Sequence, residues 1–157
     1  MNLSDWEIWE ILINIYIYMK YLHTMVRVKD LEESLKFYCD ILWLKEIRRK
    51  ENEAGKFTLV FLATDEWAPE VELTYNWGSE EVYETGRSWW HLAYEVDNIY
   101  EYCEMLQKNG VILHRPPRDG YMAFIKSPDN VSIEILQKWE AREIKSPWKD
   151  MENNGVW

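Results

Sequence analysis

The stretches YLHTMVRV (residues 21–28) and WHLAYEV (residues 90–96) decide the fold, because they are two copies of one pattern. His23 and His91 are 68 residues apart, as are Val28 and Val96. Both stretches alternate apolar and polar side chains, the signature of a half-buried strand. After the first comes Asp30-Leu-Glu-Glu33, a capping box in which Asp30 caps and Glu33 reaches back. Leu31, Leu35, Tyr38 and Leu42 then recur at helical spacing, followed by strand-like runs at residues 45–49, 57–63 and 71–77. The second stretch is followed by Asp97 as a cap and by a helical stripe of Ile99, Cys103 and Leu106. Asn109-Gly110 is the stop signal, and further strands are predicted at residues 111–114, 121–126 and 131–137. Each half therefore reads βαβββ. The predicted fold class is α+β, two βαβββ modules (residues 20–78 and 90–137) in one domain, since either module alone would leave a sheet face uncovered.

Strand alternation assigns side chains to faces. His23, Met25 and Arg27 share one face of the first strand, opposite Leu22, Val26 and Val28. In the last strand of that module Glu72, Thr74 and Asn76 lie opposite Val71, Leu73 and Tyr75. In the second module His91 opposes Leu92 and Val96, and Glu134 opposes Ile133 and Ile135. Each module thus places one His and one Glu on its polar face, with Glu72 and Glu134 both on final strands and 62 residues apart. A lone strand histidine usually has a structural role. Here two of the three histidines occupy equivalent repeat positions, each matched by an equivalent glutamate, which points to a metal site. Two imidazoles and two carboxylates suit a divalent ion such as Ni, Co, Zn or Mn. An octahedral ion would keep two positions for water or substrate. His114 has no repeat partner and precedes Arg115-Pro-Pro117, so it reads as a loop or strand-end residue.

Composition bounds the partners. The 157 residues carry 28 Asp+Glu against 18 Lys+Arg, a formal charge of -10, which argues against a nucleic-acid binder. Cys39 and Cys103 cannot make a disulfide framework and fit a reducing cytosol. No apolar run is long enough for a membrane span. Residues 1–19 (MNLSDWEIWEILINIYIYM) carry three acids and no base, unlike a secretory signal, and read as an extension ahead of the domain. Residues 138–157 read as a charged C-terminal tail with scattered Trp, wrapping the domain or a partner.

HTMVRV (residues 23–28), VELTYNWG (71–78), HLA (91–93) and the SPD and SIE segments between 127 and 134 resemble glyoxalase I, of the vicinal oxygen chelate superfamily. The likeness runs from about residue 19 to 157. It implies that His23, Glu72, His91 and Glu134 are metal ligands, in a homodimer whose sites each take ligands from both chains. It implies Ni or Co in preference to Zn, and glutathione as cosubstrate, contacted by Arg27 and Asn76 and less securely by Arg118. The implied reaction converts the methylglyoxal–glutathione hemithioacetal to S-lactoylglutathione, with the ion as Lewis acid. Glu134 would move the proton between the two carbons, and Glu72 would share that role. A dioxygenase or epimerase of the same fold is the near alternative. From another class comes a metal-free binding protein or an impaired paralogue.

The sequence departs from the resemblance at Trp43, Trp90 and Trp139, where relatives usually have Gly. Trp43 lies just past a helix end, where glycine is favoured for its tolerance of a left-handed backbone. Our reading is that a codon meaning glycine in the source has been translated as Trp, because some bacteria read UGA as glycine; deliberate engineering is the alternative. UGG codons at the three positions would contradict the recoding.

Overall fold

The computed structural model describes residue 4, residues 19–84, 86, 88 and 91–156. The N-terminal extension and Trp90 therefore fall almost wholly outside the described residues. The first module runs β1 (His23–Val28), α1 (Leu31–Leu35), β2 (Lys45–Asn52), β3 (Phe57–Ala63) and β4 (Glu70–Asn76). The second runs β5 (His91–Val96), α2 (Ile99–Lys108), β6 (Met122–Lys126) and β7 (Ser132–Gln137). The two sheets have the orders β1-β4-β3-β2 and β5-β7-β6. In each module the first strand lies parallel to the last, and this pairing brings the repeated His and Glu onto neighbouring strands.

Val26, Val28, Val71 and Leu73 are buried on the apolar face of the first sheet, as are Ile133 and Ile135 in the second. They join one connected core that runs through both modules. Helix α2 supplies Ile99, Tyr100, Cys103 and Leu106 to it. Burial pushes the Cys103 thiol up to about 12, so this cysteine is an inert core residue. The modules are also tied by polar bonds: Asp129 accepts the Lys29 amide at 2.7 Å and the Ser34 hydroxyl at 3.0 Å.

Three local expectations are corrected. Asp30 caps α1 through the Glu33 amide at 2.9 Å, but among the described residues Glu33 does not return the bond. The cap of α2 is Asn98 and not Asp97: the Asn98 side chain accepts from the amides of Tyr100 and Glu101. Asp97 instead pairs with Lys138 at 3.3 Å. The run at 111–114 is not a strand. One bridge forms just past it, Arg115 to Phe124, and goes no further because Pro116 and Pro117 lack the donors that an extended ladder would need. The second module is therefore βαββ with a vestigial edge.

Helix α1 continues as a π-helical turn, Lys36–Ile41. The wider turn lets the adjacent Phe37 and Tyr38 both enter the core. It closes with the Leu44 amide bonded to the Tyr38 carbonyl at 2.9 Å, which requires a left-handed residue between. That residue is Trp43, at φ 63°, with its ring 67% exposed. Trp139 is at φ 65° and 82% exposed. Both positions thus have the backbone that glycine adopts without strain, and neither ring contributes much burial. Trp43→Gly and Trp139→Gly are expected to stabilise the fold by about 1 kcal/mol each, after glycine's own entropy cost. Thermal unfolding would then shift upward by roughly 2–4 °C per substitution. A lowered midpoint would show that the indoles hold something in place.

Residues 138–156 run along the second module. The buried Trp148 stacks on Tyr100 with ring centroids 5.9 Å apart. Arg142 donates its amide to the Gly120 carbonyl at 3.0 Å. Gly120, at φ 71°, admits that approach because a Cβ there would collide with the Arg142 carbonyl. His114 lies in the irregular segment before the Arg115 bridge, its Nδ1–H donating to the Asn154 carbonyl at 2.6 Å.

Candidate metal centre

The β1–β4 register sets Met25 opposite Glu72, and the β5–β7 register sets Ala93 opposite Glu134. In each sheet the histidine lies two residues before the partner of the glutamate, on the same face. His23 Nε2 is 3.0 Å from Glu72 Oε2, and His91 Nε2 is 3.1 Å from Glu134 Oε2. The side chains match in exposure as well: 34% and 13% in the first pair, 36% and 15% in the second. The repeat has built the same half-site twice.

Sequence reasoning missed a third member of each half-site. Phe61 packs edge-to-face on His23 at 5.6 Å, and Phe124 on His91 at 5.5 Å. Each Phe is the antiparallel partner of its module's glutamate. They are 63 residues apart, so aligning the repeats along their third strands would have found them. Such contacts fix a ring's plane and are worth about 0.5–1.5 kcal/mol each. Arg48 lies over the Phe61 ring at 3.3 Å and holds Glu70 with a bidentate pair of 3.1 and 2.6 Å.

The two glutamates differ in one respect. The Thr74 hydroxyl donates to Glu72 Oε1 at 3.1 Å. The residue two past Glu134 is Leu136, and among the described residues nothing donates to Glu134 Oε1.

Two donors each about 2.0–2.2 Å from one ion, at right angles, are roughly 2.8–3.1 Å apart. Both His–Glu pairs meet that separation, so their donor chemistry and spacing fit adjacent positions on a first-row divalent ion. His23 Nδ1 is buried without a hydrogen-bond partner, a polar atom that a completed site should satisfy. Among the described residues, no third His, Cys, Asp or Glu joins either pair into a closed metal site.

Arg27 and Asn76 lie on the face that carries His23 and Glu72. Tyr83, in the loop after β4, connects them: its hydroxyl accepts the Asn76 amide at 3.0 Å, and its ring centroid is 5.9 Å from the Arg27 guanidinium. Arg27 has no ion-pair partner among the described residues. Arg118 lies elsewhere, donating to the Met151 carbonyl at 3.0 Å, and does not line the groove around Arg27.

A sheet pair bearing two half-sites defines the class, and residues 20–135 match the family described as the Glyoxalase/Bleomycin resistance protein/Dioxygenase superfamily. The chain belongs to this superfamily. Within it, the chain is 43% identical to the lactoylglutathione lyase of Haemophilus influenzae over 126 residues, covering 76% of this chain and 93% of that protein. It is also 43% identical to the lactoylglutathione lyase of Neisseria meningitidis serogroup A, covering 76% and 91%. Among solved structures, the trypanothione-dependent glyoxalase I of Leishmania major matches with a TM-score of 0.72 and 35% identity, over 76% of this chain and 87% of that one. Glyoxalase I of Zea mays matches at TM-score 0.70 and 29% identity, covering 77% of this chain and 45% of that one. No helix among the described residues is long and apolar enough to cross a membrane.

Proposed function

We propose that this chain catalyses the lactoylglutathione lyase reaction, isomerising the hemithioacetal of methylglyoxal and glutathione to S-lactoylglutathione. The observation that carries this reading is the pair of matched His–Glu half-sites, at 3.0 and 3.1 Å, the first of them on the sheet face that also holds Arg27 and Asn76. We propose that two chains pair so that His23 and Glu72 of one meet His91 and Glu134 of the other. The four would hold one divalent ion, Ni or Co in preference to Zn, which when bound supplies Lewis-acid polarisation of the substrate oxygens.

The chain's own residues do the rest. Glu134 takes the proton from the carbon bearing sulfur and returns it to the neighbouring carbon. Its Oε1 is suited to this because no donor among the described residues ties it down. Glu72, held by Thr74, stays a ligand for the substrate enantiomer that Glu134 serves. Phe61 and Phe124 hold the imidazole planes. Arg27 and Asn76 anchor the glutathione part of the substrate. The free cysteines agree with the reducing cytosol, where we place the protein.

The test is a metal-dependence assay. Thioester formation from the hemithioacetal is expected to vanish on chelation and to return with Ni or Co more fully than with Zn. Undiminished turnover in the chelated protein, or none in any loaded form, would overturn the proposal.

A further inference from the structure

Beside the first half-site, Met25, Arg27, Val82, Tyr83 and Val131 line a cavity of about 280 Å³. It lies where the modules meet, since Val131 belongs to the second. Its outer wall is the loop after β4. That loop is tied down at its start by the Lys29 ammonium, which donates to the Ser79 carbonyl at 2.9 Å. Further along, Tyr83 accepts the Asn76 amide.

The hydrogen-bond count at Tyr83 is informative. Its oxygen has one lone pair taken by Asn76, while its O–H has no acceptor among the described residues. A phenol oriented in this way has its proton free to donate. The Arg27 guanidinium lies 5.9 Å from the Tyr83 ring centroid and has no ion-pair partner among the described residues. Two unfilled donors on one cavity, one charged and one neutral, match a carboxylate, which accepts several hydrogen bonds and favours charged donors. The Asp129 carboxylate on the same cavity is already engaged by the Lys29 backbone amide and the Ser34 hydroxyl, and Glu81 and Glu84 on its rim are exposed to screening water.

We propose that Tyr83 is a further substrate-binding residue, its O–H oriented by Asn76 and joining Arg27 to clamp a carboxylate of the thiol cosubstrate. The inference rests on the proposed function. It assigns Asn76 a second duty, that of setting the Tyr83 rotamer. Recognition by a phenol and an arginine together would reject thiols without a carboxylate at this reach, because both donors would be left unpaired.

Tyr83→Phe keeps the ring and removes only the O–H. It is expected to raise KM for the hemithioacetal about tenfold, with kcat within twofold of the parent and metal content unchanged. Calorimetry with S-hexylglutathione should show the same tenfold loss. With the diethyl ester of that ligand, whose carboxylates are masked, parent and variant should bind alike. Equal binding of the free acid by both proteins, or an equal loss for acid and ester, overturns the clamp. Parent protein that binds S-hexylglutathione through Tyr83 but does not turn over the hemithioacetal supports the clamp and overturns the lyase reading. Parent protein that neither binds nor turns over overturns both.

Discussion

Glu134→Gln is expected to lower kcat about 10²–10⁴-fold, the usual contribution of a positioned general base, while KM moves only a few-fold. Gln keeps the side chain's size and a neutral oxygen that can still face the ion, so metal content should be retained. What it lacks is the capacity to take a proton from carbon. The matched substitution Glu72→Gln should cost less in kcat. The difference follows from the residues two positions on: Thr74 donates to Glu72 Oε1, and Leu136 offers Glu134 nothing. A carboxylate oxygen that no neighbouring hydroxyl holds is the freer to turn toward the substrate carbon. Steady-state kinetics with metal analysis on both variants checks this. A kcat loss in Glu72→Gln with Glu134→Gln near the parent would exchange the two roles.

His23→Ala and His91→Ala are expected to lower affinity for Ni by about 100-fold or more, since even weaker supporting contacts at metal sites are worth 10–100-fold. Each should abolish turnover at every site of a pure variant, because in the proposed pairing each centre needs one half-site from each chain. Both should fold normally. The rings are one-third exposed and stand on the face away from the core, so their removal opens no large internal cavity. Metal titration with a competing chelator, with circular dichroism as the folding control, reads both properties. If one variant keeps its metal and its activity, the half-sites are not equivalent and the ligand assignment fails at that histidine.

The repeat made most of this legible. Period-two alternation put His23 with Arg27 and Glu72 with Asn76 on their faces, and the structure keeps those faces while joining His to Glu across parallel strands. Alternation describes one strand at a time. It could not show that Phe61 and Phe124 stand opposite the glutamates, which is a property of antiparallel register. Nor could it reach Tyr83, whose position depends on how a loop folds back. The cap at Asn98 was misplaced by one residue because Asp97 and Asn98 are both good cap formers, and only backbone geometry separates them. The run at 111–114 looked like a strand in isolation and failed for lack of a second neighbour and for the prolines that follow. The left-handed backbone at Trp43 was legible from its place past a helix end, although its side chain argued against it.

The central claim is that two half-sites on separate sheets become one centre only between chains. Mixing inactive His23→Ala with inactive His91→Ala, unfolding and refolding them together with Ni, measures this directly. Random pairing makes about half of all dimers hybrid, and each hybrid has one site carrying both substitutions and one carrying neither. Activity should rise from baseline to about a quarter of the parent's. A mixture that stays as inactive as its components, while refolded parent regains full turnover, would contradict the shared centre.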